Sequence, residues 1–162
     1  MCRLFGFRSN VTTSAHRSLA IAENAMVTQA KKHSDGWGVG YFIGNEPYLF
    51  RAARGAAGDN DFITLSKRLQ SKTFLVHVRK ATVGQVDTLN SHPFRFGSWI
   101  FAHNGTIFDF DRIKVLIENE IADEFKQVLF GSTDSERYFF FLLSHMKEAG
   151  IPTDGRGPFN LE

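Results

Sequence analysis

Apolar and polar positions divide the chain into a short series of elements. Leu4-Phe5-Gly6-Phe7 reads as a strand that anchors the N-terminus. Val11-Thr12-Thr13-Ser14 reads as a turn ending in a helix N-cap. Ala15, Leu19, Ala22 and Met26 then recur at helical spacing, which predicts a helix over residues 15–29 with one buried stripe. The polar run Lys31–Gly36 breaks it. Trp37–Ile43 predicts a strand, Gly44-Asn45 a tight turn, and Tyr48–Ala53 its partner strand. After the loop Gly55–Asn60 comes a short helix carrying Phe62, Leu65 and Leu69. Thr73–Arg79 is rich in β-branched and aromatic residues and predicts a further strand. Beyond Asn90-Ser91-His92-Pro93 a strand is expected at Ser98–His103. Ile113, Leu116, Ile117 and Ile121 predict a helix opening near Asp111. Thr133 and Glu136 form the signature of a capping box, so a last helix should run over Thr133–His145. Paired strands separated by helices favour stacked layers over a parallel βαβ sheet.

Composition narrows the class. A chain of 162 residues with 43% hydrophobic and 22% charged residues is expected to fold as one domain over 1–162. Its 17 Phe suggest a core built from aromatic packing between layers. A formal charge of +2 is too small to argue for nucleic acid or a membrane surface as partner. No apolar run reaches the length of a membrane span, residues 1–10 hold no signal-peptide core, and one cysteine forms no internal disulfide. These features favour a cytoplasmic protein with neither metal nor cofactor.

That single cysteine, Cys2, stands where removal of Met1 would make it N-terminal. It would then carry a thiol and an α-amine on one Cα. A peptide α-amine titrates at about 7.7–8.0, close enough to neutrality to accept the thiol proton. The plain alternative is a frayed chain end. Four other stretches carry chemistry, and each also has an ordinary structural reading. Asn104-Gly105 is either a tight turn or a pair of donors forming an oxyanion hole. Strand alternation puts Leu75, His77 and Arg79 on one face and Phe74, Val76 and Val78 on the other. Arg79 is a surface charge or a clamp for a carboxylate, and His77 reads as a hydrogen-bonded core residue. Asp134 either complements the helix end or binds an ammonium. His33-Ser34-Asp35-Gly36-Trp37-Gly38 is a glycine-punctuated turn without the context of a nucleotide loop.

In this order behind Cys2, these stretches resemble the class II glutamine amidotransferase domain of the N-terminal-nucleophile hydrolases. The nearest likeness is the small stand-alone subgroup beginning Met-Cys-x-Leu and carrying His-x-Asp-Gly-Trp-Gly. The resemblance runs from Cys2 to about Leu143. It implies an α+β fold, a four-layer αββα sandwich of two antiparallel sheets between helices. It also implies that Cys2 attacks the side-chain amide of glutamine and that Asn104 and Gly105 form the oxyanion pair. Arg79 and Thr82, within His77–Thr82, inherit carboxylate binding, and Asp134 inherits ammonium binding. His33, Gly36, Trp37 and His92 are candidate supports. Lys32-His33, Lys80 and Val83 depart from the synthase-linked members. Whether Lys32 or His33 orients the Cys2 amine is left open.

The implied substrate is glutamine or another γ-glutamyl amide or peptide, with ammonia passing to a separate synthase subunit or being released. If Met1 is retained, the Cys2 nitrogen is an amide, and the domain reads instead as a non-catalytic γ-glutamyl-binding or interaction module. The family domain usually continues past the Thr-Asp-x-Glu helix, whereas this chain stops after Gly155-Arg156-Gly157-Pro158. Little sequence after Leu143 is apolar enough to cover Tyr138–Leu143, so that helix is expected either to self-associate or to need a continuation.

Overall fold

The computed structural model describes residues 2–156. Six strands alternate with helical segments: β1 (Arg3–Thr13), α1 (Met26–Gln29), β2 (Gly36–Ile43), β3 (Glu46–Ala52), α2 (Asn60–Arg68), β4 (Ser71–Arg79), β5 (Phe94–Phe96), β6 (Trp99–Phe101), α3 (Phe110–Glu120), α4 (Asp123–Lys126) and α5 (Asp134–Glu148). Among the described residues, no helix is long and apolar enough to cross a membrane.

The first sheet has the order β1-β4-β2-β3, with every pair antiparallel. Inserting β4 between β1 and β2 makes it a central strand, and its alternating side chains are buried on both faces. Phe74, Val76 and Val78 join Trp37, Val39, Leu19, Met26 and Phe62 in a core beneath the N-terminal helical segments. His77 faces the other way, its ring centroid 4.3 Å from that of His92, which in turn lies 4.6 Å from Phe94. On that side sits the second sheet, β5 paired with β6. The far face of β5–β6 carries Phe94, Phe96, Trp99 and Phe101, which pack against Ile121, Phe125, Phe139, Phe140 and Leu143 of the C-terminal helices. The order is therefore helices, sheet, sheet, helices.

The two sheets meet closely because β2 has glycine at alternate positions. A Cβ on Gly38 would fall 2.0 Å from the His92 carbonyl oxygen, and one on Gly40 would fall 3.0 Å from Ile100 Cδ1. Gly36 and Gly38 are thus strand residues, Gly38 making room for the His92 backbone that leads into β5 and Gly36 for the Ser91 hydroxyl. Trp37 and Val39, between them, point into the helix-side core.

Several sequence expectations change. β1 runs on through Val11–Thr13, read above as a turn. These β-branched residues suit a strand, and Thr13 still pairs with Ser71 after an irregularity. The helix expected over 15–29 is instead a π-turn at Arg17–Ile21 and the single turn α1, followed by a 3₁₀ turn at Ala30–Lys32. The break falls at Ala22 and Ala25, both with ψ 154°. Leu19 and Met26 are still buried, each anchored by its own short turn, so tertiary packing overrides helical continuity. β5 and α4 were not anticipated. On α3 the buried stripe begins at Phe110 and leaves Leu116 64% exposed.

The apolar run of α5 is covered by elements that precede it. Phe139 stacks on Phe101 at 5.2 Å, Phe140 meets Phe96 and Phe125 at 6.0 Å each, and only Tyr138 of the run is exposed. The expectation that this helix lacked cover is overturned, because a core of rings from β5, β6 and α4 supplies it. The capping box is half formed. Thr133 Oγ1 accepts from Glu136 N at 3.2 Å, but the Glu136 carboxylate accepts from Phe130 N and Gly131 N.

His77 is fully buried, but its ring nitrogens have no hydrogen-bond partner among the described residues, and the same holds for His92. The sequence reading of His77 as a hydrogen-bonded residue is therefore corrected: the ring packs on His92 instead. Burial, then neighbouring cations and rings, pushes His77 down to about 4 and His92 to about 2. Both are neutral when folded at pH 7 but take up protons near 6.5 when unfolded. The stability tied to this difference is complete above about pH 6.5 and is lost as pH falls, through about 4 for His77 and further for His92. Denaturant unfolding should show stability nearly flat above about pH 7 and falling below about pH 6, with a slope that approaches about 1.4 kcal/mol per pH unit for each histidine by about pH 5. His77→Leu should roughly halve that slope. A flat profile would contradict two buried neutral rings.

Candidate active site

Antiparallel pairing of β1 with β4 puts Arg3 opposite Val78, which brings Cys2 alongside the residues that end β4. The Cys2 sulfur lies 3.2 Å from Lys80 N, which donates to it, and 3.3 Å from Lys80 O. A backbone donor at that distance can hold negative charge as it develops on sulfur. Across the same segment, Asp35 N donates to Arg79 O (3.2 Å), and the Asp35 carboxylate accepts from Ala81 N (2.8 Å). Residues 79–81 are thus gripped between Cys2 and the turn preceding β2.

Arg79 is only 3% exposed, so the surface-charge reading fails. Its Nη1 donates to Gln85 O (2.8 Å), and its Nη2 to Val83 O (2.9 Å) and Gly84 O (3.2 Å). Burial lowers its affinity for the proton, while Cys2, Asp35, Asp87 and Asp134 act electrostatically in the other direction. Those four groups come from four separate stretches of chain, and all lie within the field of one guanidinium.

Thr82 Oγ1 is 2.9 Å from Thr106 Oγ1, which links the loop after β4 to the loop after β6. That second loop carries Asn104 and Gly105, both exposed. The first turn of α5 holds it from beneath. Asp134 Oδ2 accepts from Ile107 N at 2.7 Å, and Oδ1 accepts from Ser135 N at 2.8 Å. Asp134 is 3% exposed, so it fixes a loop as well as sitting at a helix N-terminus.

A further network ties the loop after β4 to the segment before α5. Asn90 Nδ2 donates to Gln85 O (3.0 Å), and Asn90 Oδ1 accepts from Ser132 N (2.7 Å). Glu136 holds Gly131 N, and Arg137 donates to Gly131 O (2.7 Å) and to Glu136 (3.2 Å). Burial raises the Glu136 carboxyl, against the hydrogen bonds and the Arg137 charge. Arg51, on β3, lies in the same field, its guanidinium lowered by burial and opposed by Glu136 and Asp87.

The structure therefore brings Cys2, Arg79, Thr82, Asn104, Gly105 and Asp134 into one connected set of loops. Among the candidate supports, His33 is buried, with Nδ1 2.8 Å from Gln29 O, and Gly36 packs beneath Ser91. His92 lies between His77 and Phe94. Trp37 does not join the set. Its indole donates to Asp59 (2.7 Å) on the helix side of the sheet, so the sequence reading of it as a site residue is corrected to a core anchor. Asp35, Asn90 and the Lys80 backbone were missed by the sequence reading. The acid in the Ser34-Asp35-Gly36 turn was the one available signal. The groove lined by Arg8, Phe42, Lys72 and Trp99 lies at the opposite end of the sheet and shares no residue with these loops.

A sequence model of the class-II glutamine amidotransferases matches residues 1–157. The chain belongs to that family. It is 30% identical over 167 residues to the protein named probable glutamine amidotransferase DUG3 of Saccharomyces cerevisiae, covering 93% of this chain and 47% of the yeast protein. Gamma-glutamyl-hercynylcysteine sulfoxide hydrolase of Mycobacterium tuberculosis is 41% identical over 76 residues, 46% of this chain and 33% of the relative. Among solved structures, a glutamine aminotransferase class-II domain protein from Silicibacter pomeroyi superposes with a TM-score of 0.58. It is 33% identical, over 70% of this chain and 49% of that one. The chain spans about half the length of the curated relatives it matches first. Family membership and fold agree with the resemblance carried by the motifs.

Proposed function

We propose that this amidotransferase-family domain hydrolyses the side-chain amide of glutamine with Cys2 as nucleophile, once Met1 has been removed. The observation that carries the reading is the position of the Cys2 sulfur against Lys80, next to a buried arginine whose field also takes in Asp134. The Cys2 α-amine takes the thiol proton, and sulfur attacks the amide carbon. The tetrahedral oxyanion is held by the Asn104 amide and the Gly105 N–H, both on an exposed loop tethered through Thr106 and Ile107. The C–N bond breaks as the amine returns the proton to the leaving ammonia. Water then cleaves the γ-glutamyl thioester to give glutamate and the free thiol. Ammonia leaves to solvent or to a separate acceptor subunit, and the location is taken as cytoplasmic.

Substrate recognition follows from unused valences. A guanidinium has five N–H donors, and Arg79 commits three bonds to loop carbonyls, so donors remain for an α-carboxylate beside Thr82. A carboxylate has about four acceptor positions. Asp134 accepts from Ile107 N, Ser135 N and Ser135 Oγ, which leaves room for one ammonium hydrogen.

A second reading, hydrolysis of a γ-glutamyl compound with a larger leaving group by the same chemistry, is favoured by the similarity to the hercynylcysteine sulfoxide hydrolase. Rates on glutamine and on a γ-glutamyl peptide, measured side by side, separate the two. A reading of another class, a γ-glutamyl-binding module without catalysis, requires Met1 to stay in place.

Cys2→Ala should abolish turnover, and a diazo-ketone analogue of glutamine should label Cys2. Turnover above trace level in the alanine variant would sink the assignment. Asn104→Ala should lower kcat about 10²–10³-fold with little change in KM. Arg79→Ala and Asp134→Ala should mainly raise KM, and Arg79→Lys should rescue poorly because an ammonium lacks the planar fork. If Asn104→Ala unfolds the protein yet keeps its activity, the loop is structural only.

A further inference from the structure

The loop that presents Asn104 and Gly105 is gripped by a histidine to which no role was given above. His103, at the start of that loop, directs its ring back under Gly105. A Cβ on Gly105 would fall 2.5 Å from His103 Nε2 and 2.9 Å from Cε1, so the imidazole edge occupies the place a side chain at 105 would take. No residue other than glycine fits there without displacing the ring. The far side of the ring is held by α5. Nδ1 lies 3.1 Å from Ser135 Oγ, and the ring meets Tyr138, one helical turn further on, edge to face at 5.8 Å. The Ser135 hydroxyl donates to Asp134 Oδ1 (3.3 Å). With its hydrogen so committed, that oxygen accepts from Nδ1–H, and Nε2 is the ring nitrogen that lies beneath Gly105. Asp134, Ser135, His103 and Gly105 form one line of contact from a buried helix turn to the loop tip.

We infer that His103 is a positioning residue that sets the height and orientation of the Gly105 N–H through this line. The inference rests on the proposed oxyanion role of Gly105. The other tethers, Thr106 to Thr82 and Ile107 N–H to Asp134 Oδ2, act on the C-terminal side of the pair. Among the described residues, His103 acts on its N-terminal side, through the ring under Gly105. Removing the ring therefore leaves the loop attached but lets its tip sink or rotate. A displacement of about 1 Å at a reacting centre is enough for a loss of about 10²-fold.

The test compares wild type, His103→Ala, His103→Asn and Ser135→Ala in three measurements. These are kcat and KM for γ-glutamyl amide hydrolysis, the rate of Cys2 alkylation by iodoacetamide, and the melting temperature. Alkylation needs the thiolate but no oxyanion hole. His103→Ala should lower kcat about ten- to a hundredfold while KM and the alkylation rate stay within about twofold. His103→Asn keeps a donor near Ser135 but lacks the ring edge, so it should not rescue. Ser135→Ala, which frees the ring without removing it, should lower kcat by a smaller factor, and no variant should lose the cooperative melt. A His103→Ala kcat within twofold of wild type overturns the inference. So does a loss in which KM rises while alkylation and melting fall together with kcat, since that describes general damage. A wild type with no turnover of any γ-glutamyl amide overturns the proposed function and this inference together, whereas an active wild type with an indifferent His103→Ala overturns this one alone.

Discussion

A guanidinium buried at the end of an apolar strand must find partners, and Arg79 determines much of what surrounds it. Unpaired, a buried charge of this kind would be strongly destabilising. Three carbonyls of the following loop turn inward to meet it, which bends residues 83–85 back over the end of β4. Four acidic or nucleophilic groups from distant parts of the sequence lie in its field. The polar cluster that makes a candidate site is therefore also the means by which one strand carries a cation into the interior.

β4 can do this because it is buried on two faces with different characters. Phe74, Val76 and Val78 complete a dry core against the N-terminal helical turns, while His77 and Arg79 face the space between the sheets. That space is narrow because Gly38 and Gly40 remove side chains from the neighbouring strand. The same closeness packs His77 and His92 together as neutral rings. The loop with Asn104 and Gly105 then meets the residues after β4 at Thr82, and the turn with Asp35 meets them at Ala81. The loop donates its own Ile107 N–H to Asp134, and the turn accepts at Asp35 from the Ala81 N–H. Fold and site share one set of hydrogen bonds here.

How far the sequence could be read depended on the range of the interaction. Strands with local signals were legible: Gly44-Asn45 turned β2 into β3, and alternation in β4 assigned both faces correctly. The Asp134 helix was legible from Thr133. What depended on distant partners was not. The half-formed capping box arises because Glu136 finds the amides of Phe130 and Gly131 instead of reaching back to Thr133. The helix over 15–29 failed because Leu19 and Met26 dock separately. β5 is three residues long, and Phe-Arg-Phe has no signal of its own until Phe101 and Trp99 pair with it. Cys2, Arg79, Asn104 and Asp134 were picked out by residue type and motif resemblance, whereas Asp35, Asn90 and His103 act through backbone and ring contacts that no local spacing encodes.

The central claim is that Cys2 is an N-terminal residue that becomes acylated. Intact-mass analysis of the protein, rapidly quenched while turning over a γ-glutamyl amide, tests it most directly. The account predicts a chain lacking Met1, with a γ-glutamyl group on the Cys2 sulfur that disappears as substrate is exhausted. A protein that hydrolyses the amide while retaining Met1, or while carrying no adduct on Cys2 at any quench time, would contradict it.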